Sequence, residues 1–181
     1  MILDKAKSLL LLIDMQEKLL PVIDNAEALT RAAEWALQVA SEVGVPHLVT
    51  EQYPQGIGPT AARLISLVDE QAVIQKLTFS AWQEPAFVKQ LSLSQRGQIV
   101  VMGTEAHVCV LQTVLDLIAA GYEVYVLSDA VGSRQPQHKD QALIRMQQAG
   151  AILINQEMMA FEWLERADTE LFRKVHRGWI R

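Results

Sequence analysis

The chain has 181 residues, half of them hydrophobic, and a net charge of −5 with both signs dispersed, so it is expected to fold as one well-filled domain, 1–181, rather than to stay disordered. No Lys/Arg-rich run is present to neutralise phosphates, so nucleic acid is not an expected partner; the single cysteine excludes an intrachain disulfide and a multi-cysteine metal site. The apolar run Leu9–Ile13 is too short for a signal peptide, and no stretch approaches the roughly 20 apolar residues of a membrane span, so the expected location is cytoplasmic with no membrane partner.

In chain order, Ser8–Ile13 is apolar on both faces and predicts a buried strand. Ala26–Val43 has helical spacing, with Leu29, Ala32, Ala33, Ala36, Leu37 and Ala40 on one stripe and Gly44 as C-cap. Pro46–Thr50 is a second strand. The Gly/Pro-rich loop Glu51–Pro59 and a short helix at Thr60–Leu67 follow it. Ala72–Gln75 is a third strand with Lys76 at its end. A helix near Pro85–Leu93 precedes a fourth strand, Gln98–Met102, bounded by Gly97 and Gly103. Ala106–Ala120 is a helix stopped by Gly121, Glu123–Leu127 a fifth strand, Pro136–Ala149 a helix ended by Gly150, and Ala151–Ile154 a sixth strand. Helical segments near Glu157–Glu165 and Thr169–Val175 complete the chain. This alternation implies an α/β three-layer sandwich, a six-stranded, mostly parallel sheet with helices on both faces and right-handed crossovers.

Ligands of open parallel sheets bind beyond the carboxyl ends of the strands. Asp14 follows the first strand, Glu51 and Gln52 the second, Lys76 the third and Gly103-Thr104-Glu105 the fourth. Cys109 falls in the first turn of the next helix, and Ser128 and Asp129 follow the fifth strand. Asp14, Lys76 and Cys109 therefore share one edge. A free thiol has a pKa near about 8.5, and a helix start or a nearby ammonium favours its thiolate. Asp14 suits a general base, Lys76 an ammonium, and the N–H groups of Ala106–Cys109, Val108 among them, an oxyanion site. Each residue also has a structural reading: Cys109 as a small core residue, Asp14 as a cap, Lys76 as a solvated charge.

Three segments carry a resemblance. They are Leu10-Leu-Leu-Ile-Asp14-Met-Gln16, then Gln75-Lys76 with Phe79-Ser80-Ala81, and then Val101-Met-Gly103-Thr-Glu105-Ala-His-Val-Cys109-Val, continuing to Thr113, Gly121 and Asp129-Ala130. Together, over about Leu9 to Ile154, they resemble the isochorismatase-like cysteine hydrolases, most of all the small isochorismatase-domain-containing proteins related to the YcaC type. The resemblance implies Cys109 as nucleophile, Asp14 as base and Lys76 as third member. It also implies a six-stranded parallel sheet, a non-proline cis peptide at Thr104-Glu105, and a homo-oligomer. Metal-binding relatives place an Asp-x-His and further histidines after the second strand. Thr50-Glu-Gln-Tyr-Pro-Gln-Gly-Ile-Gly-Pro59 contains no histidine, so no metal or other cofactor is expected and nicotinamidase activity is disfavoured. His47 reads as a strand residue, and His107, His138 and His176 have no ligand spacing.

The expected partner is a small-molecule substrate, an amide or similar C–N acyl compound cleaved through a covalent thioester. The expected rim is Gln16, Gln52, Tyr53, Phe79 and Trp82, with Thr104, Glu105 and Val108 beside the oxyanion; Phe79 and Trp82 fit a core role equally. Two other readings stay open: a catalytically idle protein that binds a metabolite or partner, and a redox-sensing thiol. Phe161, Trp163, Leu164, Phe172 and Trp179 are candidates for an oligomer interface or for packing against the sheet.

Overall fold

The computed structural model describes residues 1–180. Six strands run in parallel in the order β3-β2-β1-β4-β5-β6. They are β1 (Ser8–Ile13), β2 (His47–Gln52), β3 (Val73–Lys76), β4 (Gln98–Thr104), β5 (Glu123–Gly132) and β6 (Ile152–Ile154). The helices are α1 (Ala26–Val43), α2 (Pro54–Ile57), α3 (Ala62–Ile65), α4 (Pro85–Ser94), α5 (Leu111–Ala119), α6 (Pro136–Gln148), α7 (Gln156–Leu164) and α8 (Glu170–Val175).

Side-chain alternation along β1 divides the core. Leu10 and Leu12 pack on one face with Ala33, Ala36 and Leu37 of α1 and Met159, Ala160 and Trp163 of α7. Leu9, Leu11 and Ile13 pack on the other with Phe87 and Leu91 of α4, Val114 and Leu117 of α5, and Ala142 and Met146 of α6. Every residue of β1 is buried, as a strand covered on both faces requires. The indole N–H of Trp163 donates to Ser8 Oγ at 2.9 Å, which satisfies a buried hydroxyl at the base of the sheet.

Strand order reverses between β1 and β4, because the chain builds outward through β2 and β3 and then returns to the other side of β1. That reversal opens a crevice above the carboxyl ends of β1 and β4, where sheets of this kind bind ligands. Register lines up what meets there. Ile13 lies opposite Thr50 on one side and Gly103 on the other, and Gln52 lies opposite Lys76. At Gly103 the backbones of β4 and β1 nearly touch: φ is +146°, and a Cβ there would stand 2.2 Å from the carbonyl oxygen of Ile13. Only glycine fits such an approach.

The described peptide bonds are all trans, Thr104-Glu105 included, which corrects the expectation carried by the resemblance. The sharp turn there is made instead by rotation at single residues, Gly103 at φ +146° and Glu105 at φ +53°.

Candidate active site

Asp14 ends β1 in the left-handed region at φ +52°, a conformation that costs a non-glycine residue about 1–3 kcal/mol and persists only where neighbours impose it. Here its N–H donates to the Thr50 carbonyl at 3.1 Å and Thr104 Oγ1 donates to its carbonyl. Its carboxylate is wholly buried and doubly held. Thr50 Oγ1 donates to Oδ1 at 2.6 Å, and Lys76 Nζ donates to Oδ2 at 2.7 Å.

Lys76 is as buried as Asp14. Besides Asp14, its ammonium reaches Gln52 Oε1 at 2.6 Å, the Phe79 carbonyl at 3.1 Å and the Thr78 carbonyl at 3.3 Å. A lysine has three protons, so all are engaged and none is left to hold a free anion. Gln52 is oriented by its other end: Nε2 donates to the Leu77 carbonyl at 2.8 Å, which turns Oε1 toward the ammonium. The same Oε1 lies 4.0 Å from Cys109 Sγ.

Cys109 sits on a π-helical turn, Ala106–Val110, wedged between β4 and α5. Wider turns of this type recur at functional sites. Cys109 is 5% exposed. Burial pushes its thiol up to about 12, the neighbouring Asp14 carboxylate adds to the rise, and Lys76 partly opposes it. Burial and the carboxylate outweigh Lys76 and favour the thiol over the thiolate. Thr113 Oγ1 donates to the Cys109 carbonyl at 2.7 Å and accepts the Ala81 N–H at 2.9 Å, which ties the turn to the loop after β3.

The other expected residues divide. Gln16 lies beneath the site, fully buried. Its Oε1 accepts the Gln52 N–H at 2.7 Å, and its Nε2 donates to the Gln52 and Gly58 carbonyls at 2.9 and 2.6 Å. It clamps β1 to the loop after β2 and leaves no group for a ligand. Tyr53 and Phe79 are about half exposed beside this loop. Trp82 is not at the rim. Its ring meets Tyr122 edge-on at 5.8 Å, and Tyr122 lies just before β5, past the end of α5 away from Cys109. The Val108 N–H donates to the Glu105 carbonyl at 2.8 Å, so it is not open to an oxyanion. Glu51 turns away and holds the N–H and hydroxyl of Thr60 at 2.7 and 2.8 Å. Asp129 accepts the Gln156 N–H at the start of α7; Ser128 Oγ donates to the Ile154 carbonyl at 3.1 Å.

Sequence reading missed Thr50 and Arg134. Thr50 carried a signal, a polar residue at the buried end of an apolar strand; Arg134 carried none, since its partner is Glu105, at 2.6 Å. It also missed that the rings of His107 and His138 meet, with centroids 4.5 Å apart. Among the described residues, no three His, Cys, Asp or Glu side chains gather as metal ligands.

The sequence and fold have counterparts. The family model of the isochorismatase domain matches residues 8–158. Mouse isochorismatase domain-containing protein 2A is 36% identical over 94% of this chain and 81% of its own. Among solved structures, the MAR1 ribonuclease of Caenorhabditis elegans superposes with a TM-score of 0.92 at 31% identity, over 100% of this chain and 93% of that one. YcaC from Pseudomonas aeruginosa, solved with hexane-2,5-diol and covalent acrylamide, gives 0.92 at 26% identity over 99% and 92%. The Escherichia coli YcaC gene product, described as an octameric hydrolase of unknown specificity, gives 0.92 at 25% identity over 99% and 91%. A doubly wound α/β protein with a buried Asp, Lys and Cys at its switch point is thus the class in view. The chain belongs to the isochorismatase family, and that membership fits a hydrolase.

Proposed function

We propose that the protein is a cysteine-dependent hydrolase of a small, uncharged amide or related C–N acyl compound, acting through a covalent thioester. The observation that carries the reading is the Cys109 thiol beside the Asp14–Lys76 ion pair, all three buried at the mouth between β1 and β4. Cys109 Sγ attacks the acyl carbon and its proton passes to Asp14. The N–H groups that open the Ala106–Val110 turn, Val108 excepted, receive the oxyanion. Collapse breaks the C–N bond, Asp14 returns the proton to the leaving amine, and the acyl group stays on sulfur. Water, deprotonated by Asp14, then attacks the thioester and frees the carboxylic acid and the thiol. Lys76 holds the carboxylate in place.

Charge supports an uncharged substrate. Lys76 is cancelled by Asp14 and Arg134 is paired with Glu105. The exposed Tyr53 and Phe79 offer apolar surface for a small planar group. The covalent acrylamide of the Pseudomonas YcaC structure supports a reactive nucleophile in that relative. Ribonuclease, the word attached to the C. elegans structure, finds no support in a chain of net charge −5 without a basic run.

The octamer described for E. coli YcaC supports a homo-oligomer here. The groove between the N-terminal segment and α7, lined by Ile2, Leu3, Met158 and Phe161, is the face we assign to it.

The test is intact-protein mass spectrometry after incubation with a panel of small amides, with Cys109→Ala in parallel. The expected result is an acyl-sized mass gain or product release that Cys109→Ala abolishes. Turnover that survives in Cys109→Ala overturns the nucleophile assignment. A freely alkylated thiol with no adduct and no turnover from any amide moves the protein to the metabolite-binding reading.

A further inference from the structure

The nucleophile turn begins at a residue that does not favour its own conformation. Glu105 holds φ +53° and ψ +61°, in the left-handed region that side chains other than those of glycine and asparagine avoid. Yet its carbonyl is the origin of the turn: the N–H groups of Val108 and Val110 both point to it, at 2.8 and 3.4 Å. Whatever fixes Glu105 therefore fixes Cys109, four residues on.

Two loops run side by side at this point. The β4–β5 ladder ends with Thr104 opposite Gly132, so the next residues of each chain, Glu105 and Ser133-Arg134, emerge as neighbours. Side chains join them twice. Glu105 Oε1 takes Arg134 Nε at 2.6 Å, and His107 Nδ1 meets Ser133 Oγ at 3.0 Å. His107 Nδ1 also stands 3.3 Å from Glu105 Oε2. The Glu105 carboxylate is nine-tenths buried, while Arg134 closes over it from a side chain more than half exposed. On the other flank, Thr104 is fastened to the Asp14 carbonyl.

We infer that Glu105 and Arg134 are positioning residues for Cys109: their ion pair holds the left-handed start of the turn in place, and so keeps the thiol packed against Asp14 and Lys76. The inference rests on Cys109 as the nucleophile proposed above. Neither residue touches the sulfur; the effect runs through the backbone of the turn. Of the titratable groups around the turn, Asp14 and Lys76 face the thiol from β1 and β3, and His107, Arg134 and His138 lie on the Glu105 side.

The test reads the thiol without a substrate, so it is independent of whether amides turn over. Iodoacetamide alkylation of Cys109 is followed from pH 6 to 10 in the parent protein and in Arg134→Ala, Arg134→Lys and Glu105→Gln, with thermal midpoints measured alongside. In Arg134→Ala and Glu105→Gln the thiol leaves its buried place beside Asp14 and returns toward its ordinary range. Alkylation at pH 8 is then expected to rise by at least about tenfold and to level off within the range. Arg134→Lys restores the cation and is expected to lie within about threefold of the parent. Thermal midpoints are expected to change little, because Arg134 is a half-exposed surface residue. Alkylation profiles of Arg134→Ala and Glu105→Gln that superimpose on the parent overturn the inference. So does a faster reaction that Arg134→Lys fails to reverse and that follows a matching fall in thermal midpoint, since that marks a structural role alone. If Arg134→Ala does not fold, Glu105→Gln, which keeps shape and removes charge, decides the question by the same readout.

Discussion

Asp14 and Lys76 pull the Cys109 thiol in opposite directions. The carboxylate raises it and the ammonium lowers it, with burial the largest contribution to a position near 12. The two neighbours can therefore be separated by one isosteric change. Asp14→Asn leaves the ammonium facing the sulfur alone, so the thiolate becomes easier to form and alkylation at pH 8 is expected to quicken by at least about tenfold. The same change removes the proton acceptor, so hydrolysis of any substrate found is expected to fall by about 100-fold or more. A variant that is both inactive and no faster to alkylate would show that Lys76 does not face the sulfur. The pairing of these residue types across the sheet was legible in the sequence, because strand ends of a parallel sheet share one edge. The state of the thiol was not, since it depends on burial and on which neighbour is nearer, and neither is written in residue spacing.

The predicted strands and helices appear in order, with the core of nearly every one correctly located, because apolar runs and stripes are local signals; the short helix α2 (Pro54–Ile57) lies in the Glu51–Pro59 segment expected to be a loop. The misreadings gather at the carboxyl ends. The sequence implies that β4 stops at Met102 and β5 at Leu127, whereas they run to Thr104 and Gly132. The final residues of the two strands pair with each other beyond a register shift, in which β4 passes from Val101 to Gly103 while β5 passes from Val126 to Val131. The π-helical turn at Ala106–Val110 shares the apolar spacing of the α5 helix it leads into, so periodicity could not separate the two. Gly103 is the element-scale hinge of this arrangement. Gly103→Ala places a Cβ against the Ile13 carbonyl and demands a φ that alanine avoids. It is expected to cost about 3 kcal/mol, a fall in thermal midpoint on the order of 10 °C by calorimetry. A fall under about 3 °C would mean that β1 and β4 can separate here without penalty.

For the whole molecule, helices cover both faces of the sheet, and the outer side of α7 leaves an apolar cluster exposed beside the N-terminal segment. Of the five aromatic and aliphatic residues that the sequence offered for an interface, Trp163 and Leu164 are buried against the sheet, and Phe172 and Trp179 pack at its margin. Only Phe161 stays exposed, with Met158 one turn before it on α7 and Ile2 across the groove. Helical spacing explains the split: Met159, Ala160 and Trp163 face the core, so Met158 and Phe161 must face outward. Such a cluster is rimmed by Asp4, Lys7, Glu162 and Glu165, the apolar centre and polar edge of an interface. If copies of this chain meet there, Met158→Glu combined with Phe161→Glu buries two carboxylates on each side without partners. Assembly is then expected to weaken by about 100-fold or more in dissociation constant, read as a shift to the monomer in sedimentation velocity at micromolar concentration. The fold itself should stay intact, because neither side chain belongs to the buried core. A parent protein that sediments only as monomer sinks the assignment outright, and an oligomer unchanged by the double variant sends the interface to another part of the surface.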